Sequence, residues 1–437
     1  MKISLEYITV ALILVVPAHC YVSTEIKYVA FLYRHGDRMP VDCYPADPYR
    51  NQSFWPAPFG QLTNTGKEQH FRLGKSLRLR YSHLLSKIYD PEEVLVQSTD
   101  VDRTLMSAEA NLAGLFPPIG KQVWDVQMPW QPIPVHTRPE QLDEVLAMKR
   151  PCPQYNVEMD NYLASPPYLN MVKSHEKLMT YLSTYVGMEV KDFTDIMLIY
   201  SCLNIEKLYN FELPAWTAKV FPEPLHQAAG LSFSVSAATP RLARLIAGPL
   251  VQQVVRAMAD VISGGRRRLM VYSGHDFTVG TLLTALGVFD DVCPEYTATV
   301  YLELITNATA APPDWYVRVL YRNSVDPLSD PVMLNLPGCG GHCSFHEFVD
   351  LYENLITVDW ERECSIDYDL SLLTTNWSLI AVVLLIAGVL ALWEIRRQRI
   401  KRDCERRIPV PCSMGKSYLV EELANNHGGT LQDKFLI

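Results

Sequence analysis

The chain lacks the short motifs that mark metal-dependent and nucleotide-binding enzymes. No His-Glu-x-x-His, no Cys-x-x-Cys and no Gly-x4-Gly-Lys-Ser/Thr occurs in its 437 residues. Neither a zinc-hydrolase centre nor a Walker-type phosphate loop is therefore expected. The Cys-x5-Arg loop of thiol phosphatases is missing as well. Positive charge is in deficit, 39 Lys and Arg against 48 Asp and Glu, for a formal net charge of −9, which argues against a nucleic-acid partner. No internal repeat or low-complexity tract stands out. Only 20% of the residues are charged and 48% are apolar, so general disorder is excluded and the length has room for two lobes.

The acidic charge is unevenly placed. Residues 394–437 carry nine Lys and Arg against six Asp and Glu, while Lys2 and Glu6 cancel within residues 1–20. An acidic body with a basic tail points to two compartments. Tyr7 to Ala18 is an apolar run after Lys2, and Ala18-His19-Cys20 offers a cleavage site, so residues 1–20 read as a secretory signal peptide, with a retained anchor as the alternative. Trp377 to Trp393 is uncharged and mostly apolar, and Arg396, Arg397, Arg399, Lys401 and Arg402 follow at once. That pattern predicts a transmembrane helix over 377–393 with residues 394–437 in the cytosol, a single-pass type I membrane protein; the alternative is a buried core helix.

The body, residues 21–368, then faces an oxidising lumen. It holds seven cysteines, Cys43, Cys152, Cys202, Cys293, Cys339, Cys343 and Cys364, an odd number whose pairing the sequence leaves open. Asn51-Gln52-Ser53 and Asn307-Ala308-Thr309 are glycosylation acceptors; Asn376-Trp377-Ser378 matches too but abuts the membrane.

Three stretches of the body repeat one pattern. Lys27 to Leu32 reads as a buried strand, and Tyr33-Arg34-His35-Gly36-Asp37-Arg38-Met39-Pro40 is the turn at its end. Glu93 to Gln97 is a second strand, followed by a helix from Val101 that carries Arg103 in its first turn. Arg268 to Tyr272 is a third, then Ser273-Gly274-His275-Asp276 and a helix over Phe277 to Leu286. Thr63 is the expected cap of a long amphipathic helix reaching Leu84. Residues of about 140–260 show few strand signals and predict an inserted helical lobe, and two runs, Thr299–Ile305 and Trp315–Tyr321, read as an antiparallel pair at the sheet edge. The fold class expected is α/β, a doubly wound, mostly parallel sheet with helices on both faces.

In such a sheet the strand ends converge on one crevice. Arg34, Arg38 and Arg103 would there surround a phosphate monoester with guanidinium forks, and His275 would add a donor. Neighbouring cations would keep His35 neutral and nucleophilic in acid, with a backbone carbonyl fixing its tautomer. Asp276 is placed to protonate the leaving alkoxide and then to activate water, which predicts an acidic optimum. Asp37 reads as a structural hydrogen-bonder. The bland alternatives are a solvated turn for the first motif, a helix cap for His275, and a surface contact with Ser107 or Asp100 for Arg103.

Arg-His-Gly-Asp-Arg, the run Ser98–Pro118, the run Trp130–Thr137 and His275-Asp276 together resemble the animal histidine acid phosphatases over residues 26 to about 364. The resemblance implies a metal-independent phosphomonoesterase without cofactor. It implies a phosphohistidine on His35, phosphate binding by Arg34, Arg38, Arg103 and His275, and proton donation by Asp276. It further implies disulfides Cys152–Cys364, Cys202–Cys293 and Cys339–Cys343, leaving Cys43 unpaired, and a homodimer contact at Trp130 and His136. The membrane anchor resembles that of the family's membrane-bound members and implies a lysosomal membrane or the cell surface. Met39 and Phe277 replace the small polar residues expected beside the motifs. Two other readings keep the fold: a phosphatase narrowed to inositol phosphates or lysophospholipids, and a catalytically idle surface binding protein, which would have no use for Asp276.

Overall fold

Successive side chains of β1 (Thr24–Arg34) point alternately into two apolar clusters. Tyr28, Ala30 and Leu32 enter one and Val29, Phe31 and Tyr33 the other, and none of the six has exposed surface. A strand buried on both sides belongs in the middle of a sheet covered by helices on each face. The computed structural model describes residues 24–307, 314–356, 359–366 and 377–407 and has this arrangement. The expected signal peptide over residues 1–20, Asn376 and residues 408–437 lie outside the described residues.

β1 runs parallel to β3 (Leu269–Gly274), and β3 runs parallel to β2 (Val94–Ser98) at one edge. On its other side β1 meets β4 (Thr299–Asn307) antiparallel, followed by β5 (Asp314–Arg322). The two-residue strands β6 (Val332–Met333) and β7 (Cys343–Ser344) both pair antiparallel with β5. The sheet is thus mixed, and the expectation of a mostly parallel sheet is corrected: two described pairings are parallel and four antiparallel. The link from β4 to β5 is too short for a crossover helix, so those strands form a hairpin, and that hairpin adds directly to the central strand.

α1 (Asn64–Arg80) and α2 (Asp102–Leu115) cover one face. Thr63 caps α1, its Oγ1 accepting the Gly66 N–H at 3.0 Å. Between α2 and β3 the chain forms α3 (Pro153–Leu163), α4 (Pro166–Tyr185), α5 (Phe193–Leu208), α6 (Leu225–Ser236) and α7 (Pro240–Ile262), the helical insertion the sequence predicts. With α8 (Asp276–Ala285), these helices build the larger cluster on the opposite face. α7 is long and apolar enough to cross a membrane by length and composition, but 61% of its apolar window is buried, so it is a core helix. α9 (Phe345–Leu351), α10 (Trp360–Cys364) and α11 (Trp377–Arg407) follow.

Cys152 at the head of α3 is bonded to Cys364 in α10, and Cys339 to Cys343 across a tight loop. The third bond differs from the implied one. Cys202 of α5 pairs with Cys43, at a Cα separation of 5.6 Å that a disulfide spans, and Cys293 is the buried free thiol. Cys293 Sγ instead lies 3.9 Å from the His226 carbonyl.

Next to the Cys43–Cys202 bond, the carboxyls of Asp47 and Glu206 are buried together, and Glu206 has no exposed surface. Burial and then the charge of Asp47 push the Glu206 carboxyl up to about 9, and burial raises Asp47 too. Tyr44, Tyr49 and Arg50 are the other ionisable groups facing the pair. Carboxyls held above their unfolded range stabilise the fold fully in acid and lose that contribution as pH climbs from about 4.5 toward about 9. The thermal unfolding midpoint of the purified chain should therefore fall between pH 5 and pH 8, and Glu206→Gln should flatten that slope. An unchanged slope would clear Glu206 of responsibility.

Candidate active site

The register of the parallel strands brings three chain ends side by side. Arg34 is paired with Gly274 and Ser98 with Ser273, the His35 N–H donates to the Gly274 carbonyl at 3.0 Å, and the Thr99 N–H donates to that of Ser273 at 3.2 Å. The next residues of each segment supply Arg34 and His35, Arg103 of α2, and His275 with Asp276 at the start of α8. The first turn is packed backbone to backbone. A Cβ on Gly36 would collide with the backbone of Gly66, and one on Gly66 with Asp37.

His35 is 1% exposed. Its Nδ1 lies 2.8 Å from the Gly36 carbonyl, which can only accept, so Nδ1 carries the hydrogen and Nε2 the lone pair. Burial first, then Arg103, Arg34, Arg38 and His275, hold this imidazole far below its ordinary range, and it is neutral in mild acid. The His275 ring stands edge-on to it, 5.7 Å between centroids. Arg103 Nη2 lies 3.4 Å from His275 Nδ1 and can only donate, so the His275 Nε2–H donates to Thr99 Oγ1 at 3.0 Å. Burial and Arg103 keep His275 neutral too.

Arg34, Arg38 and Arg103 crowd the same crevice. Arg34 pairs with Asp276 at 2.8 Å and donates to the Pro294 carbonyl at 2.5 Å. Arg38 Nη1 donates to the Met39 carbonyl at 3.1 Å. Arg103 is 7% exposed, which removes the surface-contact reading; burial and the charge of Arg38 lower it to about 10 despite Asp276. The Nε atoms of all three arginines are buried donors without a hydrogen-bond partner. Three guanidiniums, of which Arg34 alone has a carboxylate at ion-pair distance, keep donors to spare that could hold a compact, multiply charged oxyanion.

Asp37 acts structurally. Its Oδ2 accepts from Thr63 Oγ1 at 2.5 Å and from the Tyr209 hydroxyl at 3.0 Å, and its N–H donates to Gln69 Oε1 at 2.8 Å. Met39 and Phe277 are buried in apolar clusters and contribute to packing. Asn51 is exposed, Asn307 ends β4, and Trp130 and His136 are exposed on a segment that runs along the β2 edge, where His136 pairs with Gln97. The cluster with metal-ligand composition among the described residues is Cys43, Asp47, Cys202 and Glu206; its two sulfurs are joined to each other, which leaves two carboxyls and does not fit a resident cation.

Sequence reasoning missed Tyr296. Its ring lies under the Arg34 guanidinium, 4.4 Å from centroid to Cζ, and 5.9 Å from the His35 ring. The adjoining Thr297 has φ +62°, an unfavourable conformation for a β-branched residue, and its N–H donates to the His35 carbonyl at 3.3 Å. Nothing in Pro294-Glu295-Tyr296 marks it in sequence; the contacts form when this segment packs against the first motif. A buried cation–π contact is worth up to ~2 kcal/mol. Tyr296→Leu should therefore weaken orthophosphate binding, measured by calorimetry, by roughly tenfold or more, whereas Tyr296→Phe, which keeps the ring face, should bind as the parent does. Equal losses in both would shift the role to the hydroxyl.

The histidine phosphatase superfamily (branch 2) family model matches residues 25–322. Lysosomal acid phosphatase of Xenopus laevis is 36% identical over 348 residues, 78% of this chain and 79% of its own. Prostatic acid phosphatase of Homo sapiens is 36% identical over 349 residues, 78% of this chain and 88% of its own. Among solved structures, the phytase from Citrobacter braakii superposes with a TM-score of 0.60 at 18% identity, covering 78% of this chain and 100% of its own. A Hafnia alvei phytase in complex with myo-inositol hexakis sulphate gives 0.58 at 18%, covering 78% and 99%. At these identities the phytases speak to the fold alone. With the family model spanning all three strand ends and the relatives matching along most of their length, the chain belongs to the histidine phosphatase superfamily, branch 2.

Proposed function

We propose that the protein is a metal-independent acid phosphatase that hydrolyses phosphate monoesters through a phosphohistidine on His35. The observation that carries this reading is the buried triple-arginine crevice with a neutral imidazole whose free Nε2 is unprotonated. Arg34, Arg38 and Arg103 bind the phosphoryl oxygens, and His275, whose one N–H is given to Thr99 Oγ1, holds Arg103 toward them through its Nδ1 lone pair instead of donating to the phosphate as the resemblance implies. His35 Nε2 attacks phosphorus, the bond to the ester oxygen breaks, and Asp276 gives that oxygen a proton as the alcohol leaves. Asp276, now a carboxylate, takes a proton from water; the hydroxide attacks the phosphohistidine and releases orthophosphate, restoring both residues.

The 36% identical lysosomal and prostatic acid phosphatases support the same chemistry. The apolar run 7–18, and a helix Trp377–Arg407 whose apolar side chains from Val383 to Trp393 are exposed ahead of a basic cluster, support a type I protein with its catalytic domain on the luminal or extracellular side, at the lysosomal membrane or the cell surface. Exposed Trp124, Val126, Met128 and Trp130, close to His136, offer an apolar face for a homodimer. Exposed Asn51, together with Asn307, is a glycosylation acceptor on that side.

The test is hydrolysis of p-nitrophenyl phosphate at pH 5 by the full chain, extracted with detergent from membranes that retain it through an alkaline carbonate wash. His35→Ala should abolish turnover, by 10³-fold or about that order. Asp276→Asn should slow alkyl phosphates far more than the nitrophenyl ester, whose leaving group hardly needs a proton. Equal rates in parent and His35→Ala would remove His35 from the mechanism, and release by carbonate would remove the membrane anchor.

A further inference from the structure

A phosphatase working from this crevice must also hold the alcohol half of its ester. Beside Arg38 a cavity of about 140 Å³ opens between the loop after β1 and the N-terminal half of α5. Val41, Met197 and Leu198 give it apolar walls, Asp42 and Asp195 contribute carboxylates, and Arg38 is the cation among its lining residues. Because Arg38 belongs to both places, a phosphoryl group seated on it directs the attached alcohol into this cavity. Resting on the phosphatase reading, we propose that the cavity is the leaving-group pocket. Asp42 and Asp195 then select monoesters whose alcohol is small, apolar and either neutral or cationic, and reject alcohols that carry further anionic groups.

The end of α5 that borders the pocket offers nothing to a second anion. Asp192 Oδ1 already accepts the Thr194 and Asp195 N–H groups at 2.9 and 3.0 Å, and Asp195 Oδ2 accepts the Lys191 N–H at 2.9 Å. The Lys191 ammonium, the neighbouring cation at this end, pairs with Glu189 at 3.2 Å. The positive end of the helix is thereby neutralised by its own carboxylates. Asp42 is exposed at the rim and Asp195 half-buried on the wall, so both act on a bound alcohol at short range, in a field that salt can screen. A cavity of this volume takes one ring or a short chain, well below the several hundred Å³ of a roomy ligand site. A polyphosphorylated ring would press its remaining phosphates against the two carboxylates. The phytases that share the fold therefore give no guide to what this pocket accepts.

The discriminating substrates are 4-(aminomethyl)phenyl phosphate and 4-(carboxymethyl)phenyl phosphate, which match in size and in leaving ability but differ in the sign of the distal charge. At pH 5.5 the detergent-solubilised full chain should favour the cationic ester by roughly tenfold in kcat/KM, the preference falling on KM. Asp42→Asn with Asp195→Asn, which preserves the side-chain oxygens that accept from Cys43 N and Lys191 N, should bring the ratio close to one while p-nitrophenyl phosphate turnover persists. The ratio is taken within one preparation, so partial loss of folded protein cancels. Should the double variant not fold, the parent's ratio must still shrink as salt screens the carboxylates. A parent ratio near one, or a ratio unmoved by both substitutions and salt, overturns the pocket and leaves the phosphatase reading intact. Failure of the parent to hydrolyse p-nitrophenyl phosphate overturns the phosphatase reading, and the pocket falls with it.

Discussion

Buried positive charge is the constraint on which this molecule turns. Arg34, Arg38 and Arg103 are drawn into one crevice, and among them only Arg34 has a carboxylate at ion-pair distance, Asp276 at 2.8 Å. Charges so placed repel, and each has left water. The crevice answers in two ways that can be read directly. The imidazoles of His35 and His275 are held neutral, and Arg103 is lowered to about 10. Only the first removes charge at the working pH, and it leaves His35, the proposed nucleophile, unprotonated. On the proposed mechanism a phosphoryl anion would relieve the remaining excess, so substrate binding and activation of the site would draw on the same electrostatics.

Holding such a cluster together requires a stiff frame, and the frame is the sheet. β1 and β3 are buried on both faces and fix the spacing of the strand ends to within the register of a parallel ladder. The Arg34 carbonyl is engaged by His70 Nε2 at 3.1 Å, the Gly36 N–H by Ser107 Oγ at 3.1 Å, and the Asp37 carboxylate by Thr63 and Tyr209. α1, α2 and the residue just after α5 thus each place a side chain on the first motif. The antiparallel hairpin contributes from the other flank, where the turn before β4 sets Pro294 and Tyr296 against Arg34. Strain at Thr297 is tolerated because Arg322 and Thr299 hold its carbonyl while its own N–H meets His35.

Much of this is legible in the sequence. Apolar runs ending in Arg34-His35, Ser98-Thr99 and Gly274-His275 mark buried strands, and the ionisable residues sit at the junctions where such sheets bind ligands. The helical insertion followed from the loss of strand signals after α2, and the cap at Thr63 from local chemistry. What the sequence hid depends on contacts between distant segments. The apolar pattern of β4 and β5 shows strands but not that they join the sheet beside β1, so its parallel content was overstated. Cysteine pairing is a matter of which loops meet: Cys43 reaches Cys202 because the loop after β1 folds onto α5, and no spacing along the chain records that. Tyr296 and the buried Asp47–Glu206 pair were invisible for the same reason. The substitutions at Met39 and Phe277 looked like changes to the site and proved to be changes to the core.

The account stands or falls on covalent transfer to His35. A millisecond quench of the full chain turning over ³²P-labelled p-nitrophenyl phosphate at pH 5, arrested in alkaline denaturant, should trap label that is acid-labile and base-stable. It should map to the peptide containing Arg34, His35 and Arg38, at up to one phosphate per chain. Turnover at full rate with no trapped label, or label resident on any other residue, would contradict it.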